Sequence, residues 1–363
     1  MMIKGSNQFN GDLLLLARNL RRLTQKELIA KMNDGITQGT LSKIEHGLLE
    51  PTQEQIENLS KALDVRPKFF FNHVPLYDFS YSFYRTQKSI SVNNHKVIQA
   101  KANLYRMHIC KFLDSIEFEP ELEEIYKINC DEKDPAEVAA LLKHVWNVPL
   151  GPVYNITCMI ERAGIIVIPM DFGTMKMDGF CHASYGGMPP IIFINKYLSI
   201  DRYRFSLMHE LGHLLMHRVP NEEQENEANC FAASFLIPDE EIKRDFAFKL
   251  SIQRFAELKR KWGVSMQALM FKAWSLGKIT DRGLKYYQIE MSRRGYRKNE
   301  PVELNNFKEI PSSLSQLIKV HLEQLGYSME DLCQITNINE DELRIMYGLT
   351  EKPRIKLKLV VNN

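Results

Sequence analysis

Apolar residues are spaced for helices along most of the chain and for strands at only a few places. Helical spacing predominates over residues 13–71 and 95–126, and again in the segments that follow residue 200. Two short β-branched segments bounded by Gly or Pro, residues 164–170 and 190–196, are typical of strands. The pattern predicts a mostly helical α+β protein with a small β-sheet.

The amino-terminal pattern contains several helix boundaries. Residues 13–23 are followed by Thr24 and, three residues later, Glu27, which together predict a capping box at the start of a second helix. The Asp34-Gly35 pair ends that helix, and Thr37 begins the next. Two short helices joined by a tight turn predict a helix-turn-helix unit, whose second helix enters the major groove of DNA. Its expected core is Leu28, Ile29, Leu41, Ile44, Ile56, Leu59 and Leu63.

A second region contains residues that bind metals. Residues 204–217 read RFSLMHELGHLLMH, with a His-Glu-x-x-His motif at His209, Glu210 and His213. Residues four apart share a helix face, so both imidazoles can bind one ion while Glu210 reaches the same cavity. Zinc is expected, because these ligands leave its fourth position free for water, from which Glu210 would take a proton as general base. The apolar residues around the motif favour this interpretation, because unpaired His and Glu are costly to bury.

A third metal ligand is available in the next predicted helix. Residues 226–238 read NEANCFAASFLIP, a segment rich in Ala that ends at Pro238, with Glu227 near its start. Glu227 would complete a site of two histidines and one glutamate. The alternative is a solvated carboxylate at a helix start, and the residues alone leave both interpretations open.

The two segments RFSLMHELGHLLMH and ENEANCFAASFLIP resemble the ImmA/IrrE family of metallopeptidase domains, and the similarity covers about residues 134–277. The resemblance implies a zinc-dependent fold related to the gluzincins. It implies His209, His213 and Glu227 as ligands and Glu210 as the catalytic carboxylate. Members of this family are associated with cleaving or inactivating a transcriptional repressor in response to stress or mobile-element signals.

LTQKELIAKM and TLSKIEHGLLEPT closely resemble the Cro/lambda-repressor-like (XRE) family, over about residues 12–71. The resemblance implies a five-helix domain in which Gln38 and Lys43 read base edges, Thr40 contacts a thymine methyl or a phosphate, and Gln25 binds a phosphate. Gly39 replaces the larger polar residue often found on this exposed face, which weakens base discrimination there. A homodimer on double-stranded DNA is expected, because one such module rarely supplies enough contacts.

The charge of this region leaves a second interpretation open. Residues 1–75 hold ten Lys and Arg against eight Asp and Glu, which is only weakly basic. The alternative is a helix-turn-helix fold kept only for dimerisation or docking.

Composition narrows the class of protein. The 363 residues are 44% hydrophobic and 25% charged, which is ordinary for a globular protein of two or three domains. A net charge of +2 argues against a general polyanion binder. No apolar run reaches the length of a membrane span, the first residues lack an apolar signal core, and the six cysteines form no CxxC pair. A cytoplasmic protein with reduced thiols is expected.

Between the two predicted strands lies a segment that is typical of a loop. His182 and Tyr185 in it are candidates for stabilising the oxyanion of a tetrahedral intermediate, although each is more often an ordinary loop residue.

The carboxy-terminal pattern is less specific. Residues 322–348 repeat the helix spacing of the amino-terminal unit, but carry Glu340, Asp341 and Glu342 in place of a basic face. An acidic face would repel phosphate, so a degenerate helical module for self-association or partner contact is expected. The alternating tail, residues 351–363, is typical of an edge strand. The predicted domains are 1–75 (helix-turn-helix), 76–133 (helical connector), 134–290 (peptidase-like) and 291–363 (helical module).

The sequence motifs leave two functions open. The chain is either a DNA-bound regulator whose zinc peptidase cuts a repressor, an antitoxin or itself, or a repressor or antitoxin whose peptidase-like domain only senses a ligand or holds a partner. The operator, the protein substrate and the activating signal are not encoded in these motifs.

Overall fold

The computed structural model describes residues 8–32, 35–72, 75–77, 90–117, 119–219, 221–297, 300–301, 304 and 307–349. The chain is mostly helical with one three-stranded sheet, which confirms the predicted α+β class. Its contacts form two compact units, the first of Met1–Tyr77, Lys96–Ile116 and Ser315–Asn363, the second of Asp78–His95 and Glu117–Leu314. The predicted edge strand at residues 351–363 and most of the connector at 74–96 lie outside the described residues.

The first unit is entirely helical in its described part. Its helices are α1 (Gly11–Leu20), α2 (Gln25–Lys31), α3 (Gln38–Glu45), α4 (Gln53–Leu63), a 3-10 helix (Pro67–Phe71) and α5 (Val92–Leu113), which enters the unit at Lys96. Near the carboxyl end follow α14 (Ser313–Lys319), a π-helix (Val320–Gln324), α15 (Met329–Thr336) and α16 (Glu340–Tyr347).

Local chemistry fixes the boundaries of the amino-terminal helices. Thr24 and Glu27 form the predicted capping box: the Thr24 hydroxyl accepts from the Glu27 amide at 3.3 Å, and Glu27 Oε2 accepts from the Thr24 amide at 2.7 Å. Thr37 caps α3 in the same manner through the Thr40 amide. Six of the seven predicted core residues are buried, and Ile29 is half-buried. The predicted helix-turn-helix core is therefore present.

The acidic carboxy-terminal helices pack against the amino-terminal ones. Glu342 accepts two hydrogen bonds from the Arg21 guanidinium, at 2.8 and 2.5 Å, and Glu330 pairs with Arg66 at 2.7 Å. Val65, just after α4, forms an isolated antiparallel β-bridge with Ile338, just after α15. The acidic residues that the sequence assigned to a partner surface thus include one that holds this unit together.

The second unit surrounds a small sheet. In chain order it contains a 3-10 helix (Ile125–Lys127), α6 (Pro135–Val145), α7 (Ile156–Arg162), β1 (Ile166–Met170), β2 (Gly179–His182), β3 (Ile191–Asn195), α8 (Ile200–Met216), α9 (Gln224–Leu236), α10 (Asp239–Asp245), α11 (Ile252–Trp262), α12 (Met266–Ser275) and α13 (Asp281–Arg293). The strand order is β1-β3-β2, with β1 parallel and β2 antiparallel to β3. All five residues of β3 are buried, as expected for a central strand.

The two strands predicted from sequence are β1 and β3. In the described sheet β1 and β2 are the two edge strands. Asp178, just before β2, connects this strand to α8: its carboxylate accepts from Arg202 Nε at 2.6 Å and from the Ser206 hydroxyl at 3.1 Å. The start of β2 is therefore held against the helix that carries the His-Glu-x-x-His motif. Among the described helices, none has the length and apolar character needed to cross a lipid bilayer.

Candidate metal centre and recognition helix

Helix α8 presents three imidazoles along one face. His209, His213 and His217 lie four residues apart, so each is about one turn from the next. The His209 and His213 ring centroids are 4.6 Å apart, and those of His213 and His217 are 4.9 Å apart. The first two rings approach through Nε2, with 3.0 Å between the two atoms.

A close helix contact brings a carboxylate to this face. A Cβ atom placed on Gly212 of α8 would lie 3.0 Å from Phe231 Cδ1 and 3.3 Å from Ala228 Cα, both on α9. Only a residue without a side chain allows α9 to come so near. Glu225, in the first turn of α9, then places one carboxylate oxygen 3.6 Å from His209 Nε2 and the other 3.6 Å from His213 Nε2.

The three groups fit a tetrahedral zinc ion. Ligand atoms about 2.1 Å from such an ion are about 3.4 Å from one another. The two imidazole Nε2 atoms are 3.0 Å apart, and each lies 3.6 Å from a different oxygen of Glu225. His209, His213 and Glu225 are also the cluster of metal-ligating side chains that the described part of the chain brings within 4.8 Å. Two imidazoles and one carboxylate leave a fourth position open, which is the donor set of a catalytic rather than a structural zinc site.

The outer ring nitrogens of both histidines have partners. His209 Nδ1 is 3.0 Å from Asn229 Oδ1, and His213 Nδ1 is 2.9 Å from His217 Nδ1. An amide oxygen can only accept, so His209 carries a proton on Nδ1, and in its neutral form the Nε2 lone pair is available to a metal ion in the cluster. Burial lowers the pKa of His213 to about 3, which keeps this imidazole neutral and able to bind a metal.

Glu227, the third ligand predicted from sequence, lies elsewhere. Its Oε2 atom is 2.9 Å from His217 Nε2 and accepts a hydrogen bond from Asn221 Nδ2 at 3.2 Å. Glu225 and Glu227 are two residues apart on one helix, so they point in different directions. Sequence reasoning missed Glu225, Asn229 and His217. The available signals were the spacing of four from Glu225 to Asn229 and the third histidine of the HELGHLLMH segment.

Glu210 lies beside the cluster and is 7% exposed. Burial raises the pKa of its carboxyl group to about 7, against the lowering effect of the neighbouring His209. Strand β2 covers it: a Cβ atom on Gly179 would be 3.2 Å from Glu210 Cγ, and the Cys181 thiol interacts with the same carboxyl group. A carboxyl group with a pKa near neutrality is suited to both accepting and donating a proton.

Of the two oxyanion candidates, His182 faces away from this cluster. His182 is fully buried, and its ring packs against Phe180 and Phe193, with centroids 5.4 and 5.2 Å away. Successive strand residues face opposite sides of a sheet, so the contact of Cys181 with Glu210 turns His182 to the other side. Tyr185 is 62% exposed in the following turn.

In the first unit, α3 presents the residues predicted to contact DNA. Gln38, Gly39 and Lys43 are exposed, and Thr40 is half-buried, with its hydroxyl 2.9 Å from that of Thr37. Gln38 Nε2 donates to Gln25 Oε1 at 3.3 Å. Gln38 and Gln25 therefore lie side by side at the amino ends of α3 and α2, and Lys43 lies in the last turn of α3.

Glu45, on the buried side of α3, fixes the position of this helix. Its carboxylate accepts from Arg18 Nε at 2.6 Å and from Gln25 Nε2 at 2.7 Å, and its side chain is 3% exposed. A Cβ atom on Gly11 would be 2.4 Å from the Ile44 carbonyl oxygen, so α1 and α3 are in backbone contact. These contacts hold the exposed face of α3 in a fixed orientation.

Comparison with known families agrees with both parts of the molecule. Residues 160–273, which include the metal cluster, match the family model of the IrrE N-terminal-like domain, a peptidase family. Residues 14–70 match the helix-turn-helix family model. The chain joins an XRE-type helix-turn-helix domain to an IrrE-like domain. Both resemblances drawn from the sequence are confirmed. Among curated proteins, no match was found.

Proposed function

We propose that this chain is a transcriptional regulator whose IrrE-like domain is a zinc-dependent metalloendopeptidase. It cleaves a repressor, an antitoxin or the chain itself in the cytoplasm, in response to stress or a mobile-element signal. The observation that carries the proposal is the convergence of His209, His213 and Glu225 beside the buried carboxyl group of Glu210. The helix-turn-helix domain, acting as a homodimer, places this activity at an operator.

The residues of the site divide the chemistry of peptide hydrolysis among them. The two histidines and Glu225 would hold the zinc ion, which when bound polarises the scissile carbonyl group and a water molecule. Glu210 takes the proton of the attacking water on a carboxylate oxygen and then delivers it to the leaving amine. With a pKa of about 7, the same carboxyl group serves both steps near neutral pH.

The surroundings of the cluster favour a polypeptide substrate. Strand β2 is one of the two edge strands of the described sheet and lies against Glu210, so a peptide that extends the sheet at β2 would pass beside the reacting groups. A cavity of about 390 Å³ next to the cluster is lined mainly by apolar side chains. It begins at Phe205, one turn before His209 on α8, and includes Asn229, the partner of His209. An apolar side chain of the substrate fits this cavity.

The test is Glu210→Gln, which keeps the size of the side chain and removes its basicity. We expect purified wild-type protein to contain one zinc ion per chain. It should also cleave itself or a protein encoded by an adjacent gene. The variant should keep its zinc content and its affinity for an operator selected from random DNA, and lose cleavage by about 100-fold or more.

The control is Glu222→Gln, the same chemical change at an exposed residue ahead of α9, and it should behave as wild type. If Glu210→Gln leaves cleavage or the regulatory output intact, the peptidase proposal fails. The IrrE-like domain would then be a sensor or a holder of a partner protein.

A further inference from the structure

The zinc ligand His213 has an outer partner that is itself a histidine. His213 Nδ1 and His217 Nδ1 are 2.9 Å apart, and His217 Nε2 is 2.9 Å from Glu227 Oε2. The His217 side chain is only 2% exposed, whereas that of Glu227 is 37% exposed. Three side chains therefore follow one another from the protein surface inward: Glu227, His217 and His213. They end at the position between His213, His209 and Glu225.

The carboxylate of Glu227 determines which ring nitrogen carries the proton in His217 and His213. An ionised carboxylate can only accept hydrogen bonds, and Glu227 Oε2 already accepts one from Asn221 Nδ2 at 3.2 Å. A neutral His217 therefore carries its proton on Nε2, which leaves Nδ1 as an acceptor. His213 then donates from its own Nδ1, which leaves its Nε2 lone pair for a metal ion held between His213, His209 and Glu225.

We infer that Glu227 and His217 are positioning residues that act in series to fix His213 in its metal-binding tautomer and orientation. The inference rests on the proposed zinc site, and it assigns Glu227 a place outside the ligand set. The contrast with His209 supports it. The outer nitrogen of His209 reaches an amide oxygen on α9 directly, whereas His213 reaches the carboxylate of α9 only through a second imidazole. Partners of this kind orient metal-ligating histidines and raise their basicity.

The experiment measures zinc affinity of the full-length protein by competition with a chelator of known affinity. Glu227→Met removes the acceptor at similar side-chain length, and we expect the affinity to fall roughly 10- to 100-fold. Glu227→Gln retains an amide oxygen in the same place and should lie between wild type and Glu227→Met. His217→Phe should match Glu227→Met. Glu222→Met, at an exposed residue outside α9, should bind zinc as wild type does.

The double variant His217→Phe/Glu227→Met separates an indirect role from a direct one. If Glu227 acts through His217, the double variant loses no more affinity than either single variant. If Glu227 were itself a ligand, Glu227→Met would lose as much as Glu225→Met, the double variant would lose further, and the inference would be overturned. Nitrogen-15 NMR of the zinc-free histidines gives a second measurement. His213 should carry its proton on Nδ1 in the wild type and exchange between the Nδ1 and Nε2 tautomers in Glu227→Met.

Failure of this inference and failure of the proposed function give different results. Wild-type protein that binds zinc tightly, with Glu227→Met binding equally well, overturns the positioning role and leaves the metal site in place. Wild-type protein that binds no zinc overturns the metal site and the positioning role together.

Discussion

Burial determines the protonation state of individual residues in both units. Removing Glu210 from water raises its pKa to about 7, because the charged carboxylate loses hydration. The same effect lowers the pKa of His108, on α5, to about 3, because for an imidazole the charged form is the protonated one. His108 is 1% exposed, and its Nδ1 atom is 3.0 Å from the Tyr347 hydroxyl on α16. It is therefore neutral in the folded protein at neutral pH.

The neutral state of His108 predicts a loss of stability in mild acid. In the unfolded chain its pKa returns to about 6.5, so below that pH the unfolded state binds a proton that the folded state does not. The contribution is fully present above pH 6.5 and is lost as the pH falls toward 3. Between pH 7.5 and 5.5 it amounts to about 1.4 kcal/mol.

Comparing wild type with His108→Gln isolates this contribution. The free energy of unfolding is measured from the urea dependence of amide exchange in α5 and α16. On going from pH 7.5 to 5.5, it should fall by about 1.4 kcal/mol less in the variant than in wild type. His46→Gln, which changes an exposed histidine of the same unit, should follow the wild type. Equal pH dependence in wild type and His108→Gln would show that His108 is not the group responsible.

At the same scale, sequence identified some residues of the site and misplaced others for a physical reason. The His-Glu-x-x-His spacing requires only one regular helix, so His209, His213 and Glu210 could be found from the chain alone. The third ligand depends on the rotation of α9 about its axis. That rotation is set by burial of Ala228 and Phe231 against α8. The sequence alone does not show which carboxylate near the start of α9, Glu225 or Glu227, faces the histidines.

At the scale of elements, the proposed metal site is a product of one helix contact. Helix α8 supplies the imidazoles and α9 supplies the carboxylate, and Gly212 is the point at which they touch. The sequence indicated both helices from their apolar periodicity. The closeness of their approach could not be predicted, because a glycine inside a helix by itself signals only lower helix propensity.

Gly212→Ala is therefore expected to damage the site without changing any ligand. The new methyl group would lie 3.0 Å from Phe231 and 3.3 Å from the α9 backbone, so α9 must move away. Overpacking lowers the free energy of unfolding by about 1–3 kcal/mol, and the better helix propensity of alanine offsets about 1 kcal/mol of that loss. Zinc affinity is the more direct measurement, and it should fall roughly tenfold, since the ligand Glu225 and the His209 partner Asn229 move with α9.

The control for this variant is Gly283→Ala in α13. There the added atom would lie 3.4 Å from Ile279 Cβ, which is ordinary contact, so zinc affinity should stay at the wild-type value. A Gly212→Ala protein with wild-type zinc affinity would contradict the role assigned to the α8–α9 contact.

At the scale of the whole chain, the two ends of the sequence build one unit. Helices α15 and α16 follow the helical spacing of α2 and α3, and the sequence therefore predicted a helical module with an acidic face. It assigned that module to self-association or partner contact. In the structure Glu342 of this face pairs with Arg21, and Glu330 of α15 pairs with Arg66. No local pattern connects these residues, since 321 positions separate Arg21 from Glu342. Pairing over such a distance depends on tertiary folding.

The carboxy-terminal helices are thus expected to stabilise the DNA-binding domain. Arg21 donates two hydrogen bonds to Glu342 and others to the carbonyl oxygens of Leu63 and Asp64, and both charged side chains are about four-fifths shielded from water. Glu342→Lys would place two cations against each other and should lower the free energy of unfolding of this unit by about 1–2 kcal/mol, more at low salt. Asp341→Lys makes the same charge change on the exposed side of α16 and should cost less than about 0.5 kcal/mol. The measurement is hydrogen exchange of the α1 amides at two salt concentrations. Equal protection of α1 in the two variants would mean that this ion pair contributes nothing to the stability of the helix-turn-helix domain.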